Sequence, residues 1–222
     1  MINPGYPDEK DDYYNDPKAF LWELVPDGPN LVMDLGCASG RLGQRLLELN
    51  KAYKLVGVEL FEPAARQAMK FYENVYIADI EDLCLDYDKH FDIVICGDIL
   101  EHLKDPLKTL TRIHKWLKDD GLLICSFPNI RYWRIIRDLM LRGEWKYTTS
   151  GIMDQTHLRF FTVRSFKRIL NEASFDVVRV NIRLPGGPRQ AMFNRVTLGL
   201  FKEFLGFQIV LSARKHNHIS RP

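Results

Sequence analysis

The amino-acid sequence predicts an α/β protein built on a doubly wound parallel sheet. Three observations carry that prediction. Short apolar runs bounded by turn residues alternate with segments whose apolar residues recur at helical spacing. One run, Phe91-Asp92-Ile93-Val94-Ile95-Cys96, is almost unbroken, as in a strand covered on both faces. Finally, Val32-Met33-Asp34-Leu35-Gly36-Cys37-Ala38-Ser39-Gly40 passes from an apolar strand through an acid into a glycine-bearing turn that opens a helix. With 222 residues, the chain is long enough for one sizeable core and short for two. We therefore expect one domain over 1–222, with an N-terminal cap over 1–25 and an insertion at about 128–162.

The elements follow in order. Met1 to Asp16 is polar and proline-interrupted, and Asp16 with Pro17 is expected to start a helix through Leu24. Leu31 to Asp34 is the first strand, and Leu42, Leu46, Leu47 and Leu49 space the helix Arg41 to Leu49. Lys54 to Val58 is the second strand, followed by a helix opened by Pro63; Asn74 to Ile77 is the third and Phe91 to Cys96 the fourth. An amphipathic helix with Leu107, Leu110, Ile113, Trp116 and Leu117 is expected to end at Asp119-Asp120-Gly121, before a fifth strand, Leu122 to Ser126. The stretch from Ile130 to Thr162 is long for a simple connection. Beyond it come a helix, Ser165 to Leu170, a sixth strand, Asp176 to Ile182, a turn at Pro185-Gly186-Gly187-Pro188, a helix, Phe193 to Leu205, and a last strand, Phe207 to Ala213. The tail from Arg214 is expected to fray.

Composition excludes several classes. A net charge of +2 carries no polyanion-binding signature, which argues against DNA and disfavours RNA as a partner. The cysteines Cys37, Cys84, Cys96 and Cys125 lack paired spacing and read as reduced. No apolar run reaches a membrane span, so a soluble cytoplasmic protein is expected.

The turn at Gly36 to Gly40 brings backbone N–H groups and a helix N-terminus to a ligand, and Glu59 stands at the end of the second strand, where a carboxylate can accept both hydroxyls of a ribose. Gly36, Gly40 and Gly43 do not match the dinucleotide spacing G-x-G-x-x-G. The run Asp34-Leu35-Gly36-Cys37-Ala38-Ser39-Gly40 resembles the first motif of the class I S-adenosylmethionine-dependent methyltransferases. That resemblance implies a seven-stranded, mostly parallel sheet with the last strand antiparallel between the fifth and sixth. It also implies S-adenosylmethionine as cofactor, with Asp34, Gly36, Cys37 and Gly40 at its methionine part. Glu59 and Leu60 would lie at the ribose, Asp79 and Ile80 at the adenine, Gly97 nearby, and Tyr14 in an aromatic lid.

After the fourth strand, Gly97-Asp98-Ile99-Leu100-Glu101-His102 sets two acids a helical turn apart beside an imidazole. Methyl transfer to a hydroxyl is an in-line displacement that usually requires removal of a proton, and Asp98, His102 and His157 are the expected catalytic groups. With Glu101, these residues resemble the metal-binding set of small-RNA 2′-O-methyltransferases and ubiquinone-pathway O-methyltransferases. The implied ligands to Mg²⁺ or Mn²⁺ are Asp98, Glu101, His102 and His157; without a metal, His102 or His157 remains a candidate general base.

The insertion carries Arg131, Tyr132, Trp133, Arg134 and Arg159, which can bind an anionic or sugar-like substrate or form the basic face of an amphipathic helix. The expected activity is O-methylation of a sugar, sugar nucleotide or other phosphorylated small molecule. An RNA-terminal 2′-O-methyltransferase and a catalytically silent cofactor-binding partner are the alternatives, and apolar positions on the last helix leave room for a homodimer.

Overall fold

The computed structural model describes residues 18–185 and 199–216. Seven strands form one sheet in the order β3-β2-β1-β4-β5-β7-β6. These are β1 (Asn30–Leu35), β2 (Ala52–Glu59), β3 (Asn74–Ile77), β4 (Phe91–Gly97), β5 (Leu117–Pro128), β6 (Phe175–Arg183) and β7 (Gln208–Lys215). The first five are parallel, and β7 runs antiparallel between β5 and β6. The strand order reverses between β2-β1 and β4, and such a switch point opens a crevice at the carboxyl ends of the strands.

Alternation along β1 shows both faces covered. Met33 and Leu35 join a core with Leu110, Ile113, Trp116, Phe166 and Leu170, whereas Val32 joins Leu21, Leu42, Leu46, Ala65 and Ala68. The first set comes from helices α4 (Pro106–Trp116) and α6 (Val163–Glu172); the second comes from α1 (Ala19–Trp22), α2 (Arg41–Glu48) and α3 (Glu62–Ala68). Helices on both faces make the sheet doubly wound, as the sequence predicts. Between β5 and α6 lies α5 (Trp133–Arg142), none of whose residues is buried, and before β7 a short α7 (Lys202–Leu205).

Among the boundaries that differ from expectation, two have a tertiary cause. Strand β5 begins at Leu117, which pairs with Phe91 before a register shift, and resumes regular pairing at Leu122 opposite Ile93. The acids expected to separate helix from strand ride on that irregularity. Strand β7 extends through Arg214 and Lys215, which the sequence assigns to a frayed tail. Flanked by β5 and β6, it pairs Arg214 with Leu122 and Lys215 with Phe175, and the two partners hold its end. The expected cap at Asp16, the turn at Gly186-Gly187-Pro188 and most of the helix from Phe193 lie outside the described residues. Among those described, the four cysteines are free, and no helix is long and apolar enough to cross a membrane.

Candidate active site

The turn after β1 needs its glycines. Gly36 has φ +75°, and a Cβ there would stand 2.2 Å from Ile99 Cδ1; Gly40 has φ +84°, and its Cβ would meet the Ala68 backbone at 2.8 Å. The Gly36 and Cys37 N–H groups donate to the Val58 carbonyl at 2.8 and 3.1 Å, which ties the turn to the end of β2. There the buried Glu59 accepts from the Ala38 N–H at 2.9 Å and from the Phe61 N–H at 2.8 Å. Burial pushes its carboxyl up against those two hydrogen bonds. Asp34, also buried, accepts from the Tyr72 hydroxyl at 2.6 Å, and burial pushes its carboxyl up to about 6. Cys37 is buried and its thiol is held strongly toward the neutral form by that burial.

At the β3 end Ile80 is buried and Asp79 exposed, its carboxylate accepting from the Glu81 N–H at 2.8 Å. Arg112, on α4, donates to the carbonyls of Ile80, Glu81 and Leu83 and so fixes this loop. Leu60 is exposed. Nothing is described for Tyr14, which lies outside the placed residues. Positive φ at Lys18 (45°), Ala38 (48°) and Asp98 (55°), all in or beside this crevice, is strain of the kind that gathers at functional sites.

The second group lies on a 3₁₀ turn, Leu100–His102, directly after β4. Glu101 is 1% exposed, and neither carboxylate oxygen has a hydrogen-bond partner among the described residues. Glu101, His102 and His157 place one ligand atom each within 4.8 Å of one another, and the two imidazole rings are 4.8 Å apart. His157 Nδ1 lies 3.0 Å from the Ile152 carbonyl, so Nδ1 donates and Nε2 keeps its lone pair. His102 Nδ1 faces Thr156. The Leu158 and Arg159 N–H groups both donate to the Glu101 carbonyl at 2.9 Å, which brings His157 from the distant insertion to this turn. Burial pushes the Glu101 carboxyl well up and the His102 imidazole down.

Asp98 does not join them. Its Oδ1 accepts from Ser126 Oγ at 2.8 Å and from Gln208 Nε2 at 2.9 Å, a commitment made by β5 and β7 that no local spacing reveals. The expected substrate residues do not converge either. Arg131 pairs with Glu203 at 2.9 Å, Arg159 donates to the Lys104 carbonyl, Arg134 lies over the Trp133 ring, and Tyr132 is buried. Aromatic rings stand in their place. Trp145 and Tyr147 lean on Phe160, with ring centroids 5.2 and 6.3 Å apart, and Phe160 lies 6.3 Å from the His157 ring.

A switch-point crevice with a glycine turn, an acid at or next to the end of β1 and of β2 and a buried acid–imidazole group after β4 marks the ligand-binding end of an open α/β sheet. A methyltransferase-domain family matches residues 9–180. The chain belongs to that methyltransferase-domain family, and its strand order is that of the class I S-adenosylmethionine-dependent methyltransferase fold. A ubiquinone biosynthesis O-methyltransferase of Neisseria meningitidis is 26% identical over 155 residues, covering 66% of this chain and 63% of its own length. A tRNA U34 carboxymethyltransferase of Nautilia profundicola is 30% identical over 167 residues, covering 69% of this chain and 51% of its own. These matches span roughly half to two thirds of the relatives' length. A SAM-dependent methyltransferase structure from Archaeoglobus fulgidus superimposes with a TM-score of 0.66 at 18% identity, over 89% of this chain and 92% of the other.

Proposed function

We propose that the chain transfers the methyl group of S-adenosylmethionine to a hydroxyl oxygen of a small molecule bound beside Glu101, His102 and His157. The observation that carries this reading is the buried Glu101 carboxylate, which has no hydrogen-bond partner among the described residues and lies beside two imidazoles whose Nδ1 atoms face Thr156 and Ile152. A buried acid left in that state normally has an incoming group to meet. The name of the Neisseria relative supports oxygen as the accepting atom.

Glu101 and the two imidazoles fit a divalent cation, which when bound supplies a positive charge that acidifies the acceptor hydroxyl. With Asp98 engaged elsewhere, one carboxylate and two imidazoles suit Mn²⁺ or Zn²⁺ better than all-oxygen Mg²⁺ chemistry. The protein's own part is to hold the acceptor oxygen in line with the transferring methyl and, where no ion occupies the imidazoles, to take up its proton at His157 Nε2, which keeps its lone pair. Glu59, with Asp34 and the Gly36–Gly40 turn, holds the nucleoside and methionine ends of the cofactor. The segment 129–162 covers the acceptor side, and Trp145, Tyr147 and Phe160 offer an apolar face to a sugar or aromatic ring.

The test is S-adenosylhomocysteine release over sugars, sugar phosphates, catechols and short RNAs, each with Mn²⁺, with Mg²⁺ or with chelator. Turnover on a hydroxyl compound that falls at least a hundredfold in His157→Ala supports the reading. A nitrogen acceptor, or turnover indifferent to both His102→Ala and His157→Ala, overturns it.

A further inference from the structure

Lys18 brings a positive charge into the crevice. Its Nζ donates to the Gly97 carbonyl at 2.5 Å and lies 3.5 Å from an Asp98 carboxylate oxygen, with the side chain 17% exposed. Its charge reaches further. Although burial dominates at Asp34, Glu59 and Glu101, Lys18 draws all three toward ionisation. The backbone beneath it is left-handed, at φ 45° and ψ 55°, which is unfavourable for a lysine and persists only where contacts impose it. The residue after the next two, Leu21, is fully buried and anchors the helical turn α1, so Lys18 hangs from a fixed point. Gly97 makes the room: a Cβ there would come within 2.7 Å of Leu21 Cδ1 and 3.4 Å of Lys18 Cδ.

S-adenosylmethionine carries two cationic centres, an α-ammonium and a sulfonium. The acceptors that such an ammonium needs, a backbone carbonyl and carboxylates at the ends of β1 and β4, are the groups that Lys18 engages or faces. Two ammonium groups cannot share the Gly97 carbonyl without strong repulsion. We propose that Lys18 is an internal counter-ion of the cofactor site, seated at Gly97 when the site is free and displaced by the ammonium of the incoming cofactor. Lys18 thus determines affinity for ligands that carry an amino-acid end. The observed dissociation constant is the intrinsic one divided by the fraction of molecules with Lys18 withdrawn.

The inference rests on the crevice being the S-adenosylmethionine site, and the experiment separates the two. Calorimetry on the full chain measures binding of S-adenosylmethionine, S-adenosylhomocysteine and 5′-methylthioadenosine, a neutral thioether with the same nucleoside and no ammonium. In Lys18→Met and Lys18→Gln the first two ligands should bind about tenfold tighter, as expected for a seat occupied nine-tenths of the time, while 5′-methylthioadenosine binds as it does to wild type. Lys18→Arg should stay within about twofold of wild type, since it keeps the cation.

Weaker binding of the first two ligands in Lys18→Met overturns the proposal, because Lys18 then holds the cofactor carboxylate. Unchanged affinity overturns it too, as does an equal shift for all three ligands, which marks a general change in the crevice. Wild-type protein that binds none of the three contradicts the cofactor site itself. A melting curve for each variant identifies any that fails to fold, and the other neutral variant then carries the test.

Discussion

Asp34 combines a positional requirement with an energetic cost. It lies one residue before the end of a strand buried from Leu31 onward, carries a carboxyl pushed up to about 6, and accepts a hydrogen bond from Tyr72. Between its ordinary value of 3.8 and about 6, the folded chain keeps a proton that the unfolded chain has lost, so stability falls as pH rises through that window and the effect levels off above it. The loss amounts to about 3 kcal/mol. Glu59 and Glu101 are raised as well and add slopes of the same sign, so the comparison has to be made by difference. In urea unfolding at pH 4.5 and pH 7, Asp34→Asn should lose about 2 kcal/mol less than wild type between the two conditions, part of the full window lying below pH 4.5, and it should bind S-adenosylmethionine more weakly. Equal losses in the two proteins would put the proton on another group. Individual acids and histidines such as Asp34, Glu101 and His157 were legible because residue type and position after a strand reveal them. Their partners were not. Tyr72 lies 38 positions from Asp34, and Asp98 reads as a ligand until Ser126 and Gln208 arrive from strands far along the chain. Phe160 and Arg112 lie among apolar or basic neighbours that make them unremarkable in sequence, and only folding sets one beside His157 and the other against the β3 loop.

At the scale of elements, periodicity revealed the strands, and tertiary pairing set their ends. Apolar runs located the central strands, because strands covered by helices on both faces cannot carry many polar residues, and alternation marked the half-exposed edge strand β6. The same reasoning gave no warning that Arg214 and Lys215 belong to β7, since a basic pair at the end of a run reads as solvent-exposed. The insertion is ambiguous for a related reason. Its arginines recur at the spacing of a helix face, and α5 is indeed a helix without buried residues, so spacing alone identified the element and not its partners. Asn129 is the junction that sequence reading passes over as part of a turn. Its Nδ2 donates to the carbonyls of Glu203 and Gly206 at 2.6 and 2.8 Å, its Oδ1 accepts from the Arg131 N–H at 3.0 Å, and its own N–H donates to the Phe207 carbonyl. One buried side chain thereby fastens the end of β5 to the α7–β7 connection and starts the insertion. Asn129→Ala leaves two carbonyls and one N–H without that partner and should cost about 2–4 kcal/mol in chemical denaturation. Asn129→Asp should cost at least as much, because an anion cannot donate to either carbonyl. A loss under 0.5 kcal/mol in Asn129→Ala would show that solvent replaces all three bonds.

Across the whole molecule, the two halves of the site hang on one short connection. In the reading proposed above, the cofactor end is built from β1, β2 and the β3 loop, and the acceptor end from the 3₁₀ turn and the insertion; Gly97 to His102 joins them. Two further contacts make the frame stiff, since Arg112 grips the β3 loop from α4 and Glu81 accepts from the Lys104 and Asp105 N–H groups. A ligand at either end should therefore raise the stability of the entire chain, by about 2.7 kcal/mol at a hundredfold excess over its dissociation constant. Because Glu101 contributes its carboxylate to one end only, the two ligands can be separated by thermal melting. Mn²⁺ should raise the midpoint of wild type and leave Glu101→Gln unmoved, and chelator should reverse the rise. S-adenosylmethionine should raise both proteins alike, because the amide at position 101 keeps the shape of the turn while removing the anion. A Mn²⁺ shift that persists in Glu101→Gln would place the ion elsewhere. Should Mn²⁺ also tighten S-adenosylmethionine binding in wild type, the same factor must appear when S-adenosylmethionine tightens Mn²⁺ binding, and the Gly97–His102 connection is the covalent path along which that coupling runs.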